Sequence, residues 1–345
     1  MKKPFELLRE ISRFGAESGI NLNDPSFRTA FGLHVADAVE RAGRDPVLLQ
    51  GYRAEAMFEA MVASFGHVQL IKQEDTGPGH ASDKLKAPDF RIVLKDGTNW
   101  LVEVKNIYEK NPFRQRRTVL NRPYRRALQA YADATGGRLK LAVFWARWSI
   151  WTLVDPEELA PGDRPLTLDI SNAVKANELA ALGDQTLGIQ APLRLKLTMD
   201  PVRTSPIGAD GFVQAVIAKA QLFSAERELF HPGDQRIAFT VMQYSDWISP
   251  DADAVVEGDR LIALEFQAAP EEPAYQGFEL AGSLSRMFAR YYADRTLADG
   301  KVVRILAPAQ PEWFGSLRSE NGVSRMPVWR FIQQPNYDEP PLFSP

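Results

Sequence analysis

The chain has 345 residues and no cysteine, which excludes a disulfide framework, a thiolate zinc site and a cysteine nucleophile. Hydrophobic residues make up 45% and charged residues 25%, enough for a sizeable core, and the length favours two domains. The net charge of −3 is unevenly spread: residues 1–155 hold 24 lysines and arginines against 18 acids, and the remainder 17 against 26, so a polyanion contact is expected in the first half only.

In chain order, the start (Met1-Lys2-Lys3-Pro4) is charged and broken by proline, unlike a signal peptide. No apolar run has the length of a bilayer span, so a cytoplasmic protein without membrane contact is expected. Asp24-Pro25 and Asp45-Pro46 read as N-caps with proline at the first helical position, and Gly43 and Gly66 as the matching stops. They frame helices over 25–42 and 46–65. Runs at 67–72, 90–94 and 100–105 read as strands, 123–134 as a helix, and 139–145 and 149–154 as two further strands. This order predicts an α/β fold over residues 1–155, a sheet flanked by helices. The proline-rich stretch Asp155–Pro165 marks a boundary. Residues 156–168 are predicted as a linker and 169–345 as a second α/β or α+β domain.

The informative segment is Ala87–Asn106. Asp96-Gly97 between two strand-like runs marks a hairpin. Period-two alternation puts Leu101, Glu103 and Lys105 on one face, with Trp100, Val102 and Val104 on the other. A two-residue turn would pair Phe90 with Glu103 and leave Asp89 on the wrong face. A three-residue loop or a bulge is therefore expected, setting Asp89 against Glu103. Two carboxylates and an ammonium at one spot suit phosphodiester hydrolysis. A hard divalent cation takes one or two carboxylates plus water and phosphate, and a lysine beside it can orient the attacking water.

Pro88-Asp89 and Glu103-Val104-Lys105 resemble the PD-(D/E)xK nuclease superfamily, which includes restriction endonucleases and archaeal Holliday-junction resolvases. The match covers residues 45–155. The resemblance implies a restriction endonuclease-like sheet, Mg2+ or Mn2+ held by Asp89, Glu103 and the Val104 carbonyl, and Lys105 serving the attacking water. It also implies a third carboxylate from the preceding helix. Glu55 is the choice, at the edge of the apolar stripe Phe58, Met61, Val62 and Phe65, with Gly51 four residues earlier in keeping. Glu59 lies nearer solvent, and the alternative is that both glutamates are plain solvated positions. Lys110, Arg114, Arg116, Arg117, Arg122, Arg125 and Arg126 follow with no acid among them, as expected for groups that hold a phosphate backbone. Gln129 joins them because the superfamily often has a glutamine in this helix, although Tyr131 follows at +2 instead of the usual +4. The predicted function is a metal-dependent endonuclease acting on DNA, with RNA left open and a homodimer as an assembly to consider. Restriction, repair and defence roles all fit. The alternatives are a nucleic-acid-binding module that keeps the fold without turnover, and an ordinary hairpin in an unrelated α/β protein.

The second half contains the other Pro-Asp dipeptide. Asp251 to Glu265 spans the same 14 positions as Asp89 to Glu103, and Gln267 stands where Lys105 does. With a helix at 209–229, a strand at 236–243, a helix at 276–293 and a strand at 302–307, a divergent copy of the first half is expected. Its site at Asp251, Glu265 and Gln267 would be weak or inactive, because glutamine carries no charge and cannot act as a base. The competing expectation is an unrelated β-α-β-β-α-β domain of ferredoxin-like order. The four histidines show no metal-ligand spacing, Trp145, Trp148 and Trp151 read as core, and no phosphate-binding glycine loop or nucleophile elbow is present.

Overall fold

The computed structural model describes residues 4–74, 84–109, 111, 116–274, 276–315, 317 and 326–338. Three helices lead: α1 (Pro4–Ser18), α2 (Phe27–Gly43) and α3 (Pro46–Phe65). α3 begins and ends for local reasons. The Asp45 carboxylate accepts the N–H groups of Val47 and Leu48, both at 3.0 Å, Pro46 has no N–H to leave unpaired, and Gly66 turns the chain at φ +60°. There follow β1 (Leu70–Gln73), β2 (Phe90–Val93), β3 (Asn99–Ile107), β4 (Arg117–Leu120), α4 (Arg122–Ala134), β5 (Arg138–Trp145) and β6 (Ile150–Val154).

Five of these strands form one sheet in the order β1-β2-β3-β5-β6. Every pair is antiparallel except β3 with β5, and α4 supplies the crossover that a parallel pair requires. Helices cover both faces. α3 packs its buried stripe (Met57, Phe58, Met61, Phe65) on the face of Phe90, Ile92, Val102, Val104 and Phe144. α4 packs Leu128 and Ala132 on the face of Leu101, Leu139, Leu141 and Val143. Trp145 and Trp151 are core residues, as their strand positions suggest. Truncating a side chain such as Phe58 to alanine would cost about 3–5 kcal/mol, the usual penalty for emptying a filled core position.

The rest departs from expectation. Residues 156–168 are folded in: α5 (Pro156–Leu159) is capped by Asp155, and β7 (Leu166–Leu168) pairs with β4 and buries Leu166 and Leu168 beside α4. Then come α6 (Ile170–Lys175), a 3-10 turn (Leu179–Leu182), β8 (Thr186–Ile189), β9 (Leu193–Met199), β10 (Ile217–Ser224), β11 (Arg227–Glu228) and α7 (Pro232–Tyr244). The chain continues through β12 (Asp253–Glu257), β13 (Arg260–Ala268), β14 (Glu279–Ser283), α8 (Leu284–Thr296), the short pair β15 (Leu297–Ala298) and β16 (Lys301–Val302), and β17 (Val328–Phe331). β11-β10-β9-β13-β12 form an antiparallel sheet, and β14-β8-β17 a smaller one.

Within the stretch expected as a helix over 209–229, β10 alternates Lys219 and Gln221 with Ala220 and Leu222, a period of two. The expected strand at 236–243 is α7, where Pro232 follows the capping His231 and Ile237, Ala238, Val241 and Tyr244 recur at helical spacing on the buried side. The helix expected from 276 begins only at Leu284, after a strand, and the strand expected at 302–307 shrinks to Lys301–Val302. The pairing also differs from the first half: β13 lies antiparallel to β9, whereas β3 lies parallel to β5, and β15 pairs only with β16, so a repeat of the first sheet is not seen.

The core also crosses the expected boundary. One cluster joins Phe58 and Phe65 of α3 to Met287, Phe288 and Tyr292 of α8 and to Phe314. Arg53 Nε donates to Thr296 Oγ1 at 2.7 Å, and Ser64 Oγ accepts the N–H of Gln310 at 2.8 Å. No helix among the described residues is long and apolar enough to cross a membrane.

Candidate active site

The β2–β3 hairpin closes through a three-residue loop, Lys95-Asp96-Gly97. Leu94 N–H donates to Thr98 O at 2.9 Å, Gly97 N–H donates to Leu94 O at 3.0 Å, and Asp96 Oδ1 accepts the Thr98 N–H at 2.9 Å. Gly97 sits at φ +87°, where a side chain would be strained. The loop length sets the register: Phe90 pairs with Val102, and one step further Asp89 comes opposite Glu103. The expected three-residue loop is therefore present, and it places Asp89 and Glu103 on the α4 face of the sheet.

β2 stops at Phe90, and the Asp89 carboxylate takes over the ladder. Its Oδ2 accepts the Val104 N–H at 2.7 Å. Continuing the register sets Pro88 against Val104, and proline has no N–H to offer the Val104 carbonyl. That carbonyl points to the same side of the strand as its own N–H, beside Asp89, as an acceptor the ladder does not use.

Glu103 is 2% exposed. Its Oε1 accepts the Tyr124 hydroxyl at 2.5 Å and is also bonded by Lys105 Nζ, whereas its buried Oε2 has no hydrogen-bond partner. Lys105 Nζ lies over the Tyr124 ring, 5.1 Å from its centroid, and its side chain keeps 32% of its exposure. Burial, and then the neighbouring Glu103 charge, push the Asp89 carboxyl up to about 7 despite the Val104 bond. Glu55, half-buried on α3, is also raised by burial and then by Glu103, with Lys105 pulling the other way. The structure thus brings Asp89, Glu103 and Lys105 together and puts Glu55 within their electrostatic reach. Glu59 is exposed.

These residues fit a divalent cation. A buried carboxylate oxygen without a hydrogen-bond partner and a second carboxylate that burial drives toward its neutral form are hard oxygen donors of the kind such a cation takes. Among the described residues no group of three or more histidine, aspartate and glutamate side chains is placed to hold a metal ion, so Glu55 does not join Asp89 and Glu103 as the expected third ligand. An ion here would therefore be held by Asp89, Glu103 and the Val104 carbonyl, with water completing its shell.

The basic segment divides. Arg114 lies outside the described residues. Arg116 and Arg117 are exposed, and Arg117 pairs with Glu109 at 3.2 Å. Arg122 (2.7 Å) and Arg126 share the carboxylate of Asp163, whose carboxyl these bonds hold down to about 2. Arg125 corrects the expectation of a phosphate contact. It is 4% exposed and donates to the carbonyls of Ala160 (2.7 Å), Arg164 (2.8 Å) and Pro156 (2.9 Å) and to Glu157 (2.9 Å), pinning the stretch expected as a linker. Gln129 donates to Asp133 one turn on at 2.8 Å.

Sequence reasoning missed three residues that build the site. Tyr124 reaches Glu103 from α4, and its hydroxyl is held well above the usual phenol range by burial and by that bond. Glu74 donates its N–H to the Asp89 carbonyl at 2.9 Å, and its carboxylate accepts Arg91 Nε at 2.5 Å and the Tyr131 hydroxyl at 2.6 Å. This brace ties the strand carrying Asp89 to α4. The helical phase could have found the two tyrosines, because Tyr124, Leu128 and Tyr131 fall on one stripe of α4.

The hairpin at 251–267 forms, but with a different register. Its tight turn at Gly258-Asp259 and a bulge set Asp253, not Asp251, against Glu265. Asp251 is exposed ahead of β12, and Glu265 is paired with Lys196 at 2.7 Å on the open sheet. Asp251, Glu265 and Gln267 do not form a second cluster.

No family model matches the chain, and no curated protein matches it. Among solved structures, a Holliday junction resolvase from the archaeal hyperthermophile Archaeoglobus fulgidus is similar at 17% identity and a TM-score of 0.26, over 34% of this chain and 87% of that one. A likeness of that size does not establish a shared fold.

Proposed function

We propose that this chain is a metal-dependent endonuclease that hydrolyses phosphodiester bonds of DNA at Asp89, Glu103 and Lys105. The observation that carries this reading is the unpartnered, buried Oε2 of Glu103 beside the Asp89 carboxylate. Leaving such an oxygen unsatisfied costs about 1–3 kcal/mol or more, a cost without a purpose in an ordinary hairpin. Mg2+ or Mn2+ held by Asp89, Glu103 and the Val104 carbonyl would polarise the phosphate and make a bound water more acidic. Lys105, more exposed than the buried Glu103, would orient the attacking water and offset charge developing on phosphorus. Arg116, Arg117, Arg122 and Arg126 support a backbone contact, since all four are exposed on the segment leading into and along α4.

The test is cleavage of supercoiled, linear, single-stranded and branched DNA with Mg2+ or Mn2+, and with chelator, by the wild-type chain and by Glu103→Ala. Metal-dependent cutting that the variant lacks is the expected result. DNA that is bound but never cut with either metal would overturn the reading in favour of a binding module without turnover.

A further inference from the structure

Resting on the reading of Asp89 and Glu103 as metal ligands, we infer that Tyr124 is a positioning residue that decides which Glu103 oxygen faces the cation and where the Lys105 ammonium sits. α4 starts by capping: Asn121 Oδ1 accepts the Tyr124 N–H at 3.0 Å, which fixes the backbone of the residue that must reach the sheet. The Tyr124 hydroxyl then donates to Glu103 Oε1, where Lys105 also binds. Oε1 has two donors and Oε2 has none, so the carboxylate presents a single free oxygen. The same ring lies beneath the Lys105 ammonium.

The two donors on Oε1 differ in what else they must do. Lys105 has to leave Glu103 in part to serve a water or phosphate. The phenol has no second task, and a planar ring with two torsions holds its hydroxyl in place at little entropic cost. Tyr124 therefore keeps Glu103 oriented while Lys105 moves. Partners of this kind behind a ligating carboxylate typically change metal affinity by about 10- to 100-fold.

The experiment is a Mn2+ titration without DNA, by calorimetry or by the Mn2+ spin-resonance signal, on wild type, Tyr124→Phe and Tyr124→Leu, paired with single-turnover cleavage. Tyr124→Phe should weaken Mn2+ binding by about 10- to 100-fold, leave DNA affinity in chelator unchanged, and recover wild-type cleavage at saturating metal. Tyr124→Leu should lose the same metal affinity and, with no ring under Lys105, remain about tenfold slower at saturating metal. Wild-type Mn2+ affinity in Tyr124→Phe overturns the inference, and if the leucine variant does not fold the phenylalanine titration decides alone. A wild-type chain that binds Mn2+ but cuts no DNA would sink the endonuclease reading, while the titration still judges Tyr124. A wild-type chain that binds no Mn2+ overturns both.

Discussion

The hairpins at 89–105 and 251–267 share a Pro-Asp start and a 14-residue interval to a glutamate, yet only the first gathers a site. Two differences decide this. The first is register: a three-residue loop sets Asp89 against Glu103, whereas a tight turn and a bulge shift Asp251 two places past Glu265. The second is cover. β3 lies between β2 and β5 beneath α4, so Glu103 is desolvated and meets Tyr124. β13 lies between β9 and β12 in an open antiparallel sheet, where Glu265 meets solvent and Lys196. Spacing along the chain is not spacing in the fold, and a carboxylate acquires unusual properties only when water is taken from it.

The comparison can be broken most directly by substitution. Asp89→Ala or Glu103→Ala should lower DNA cleavage by at least about 10³-fold, on the order of 4 kcal/mol of transition-state stabilisation. Asp251→Ala and Glu265→Ala, assayed alongside, should leave cleavage unchanged. The reverse pattern would move the site to the second half.

A smaller effect should distinguish a buried acid of the second half from those of the site. Asp184 accepts the Ser285 N–H at 2.9 Å and the Ser285 hydroxyl at 2.7 Å, and burial pushes its carboxyl up to about 6. Its folded value lies above its ordinary 3.8, so its stabilising share is complete below about pH 4 and is lost as pH rises through about 6. Asp184 still meets solvent at the rim of a 330 Å³ cavity, which screens part of the penalty. Measured by urea unfolding, wild-type stability should fall by about 2 kcal/mol relative to Asp184→Asn between pH 4 and 7. A gap that does not change with pH would show that Asp184 ionises as freely in the fold as outside it.

The smallest effect concerns DNA affinity. Replacing Arg116, Arg117, Arg122 and Arg126 with alanine should flatten the log–log salt dependence by about 0.9 for each phosphate that the protein no longer neutralises. Asp163→Ala should steepen it, because that carboxylate now occupies Arg122 and Arg126 where a phosphate would sit. Lys196→Ala, on the open sheet, should leave the slope alone. A slope that responds equally to Lys196 and to the α4 arginines would erase the distinction between the two surfaces.

The first sheet is legible in the sequence because its signals are local. Asp45-Pro46 and Gly66 bound α3, Asp96-Gly97 closes the hairpin, and alternation assigns Glu103 and Lys105 to one face. Arg125 shows where local reading stops. In a run of like charge, only the phase of the packed helix says that it shares a buried stripe with Leu128 and Ala132. The second half hides for a related reason. β9 pairs with β13 across more than sixty intervening residues, and nothing near either strand announces its partner. There the amphipathic runs are short enough to read as either helix or strand.

The shared core has a consequence for how this protein could be divided or recombined. α3 carries Glu55 on one side and, on others, Arg53 and Ser64, whose partners Thr296 and Gln310 lie near the far end of the chain. A fragment cut after residue 155 would keep every residue of the proposed site and yet strip α3 of Phe288, Tyr292 and Phe314, leaving its apolar flank open to water. The two halves are therefore not interchangeable cassettes, and a lesion in α8 can loosen the support of the hairpin without touching a residue of the proposed site.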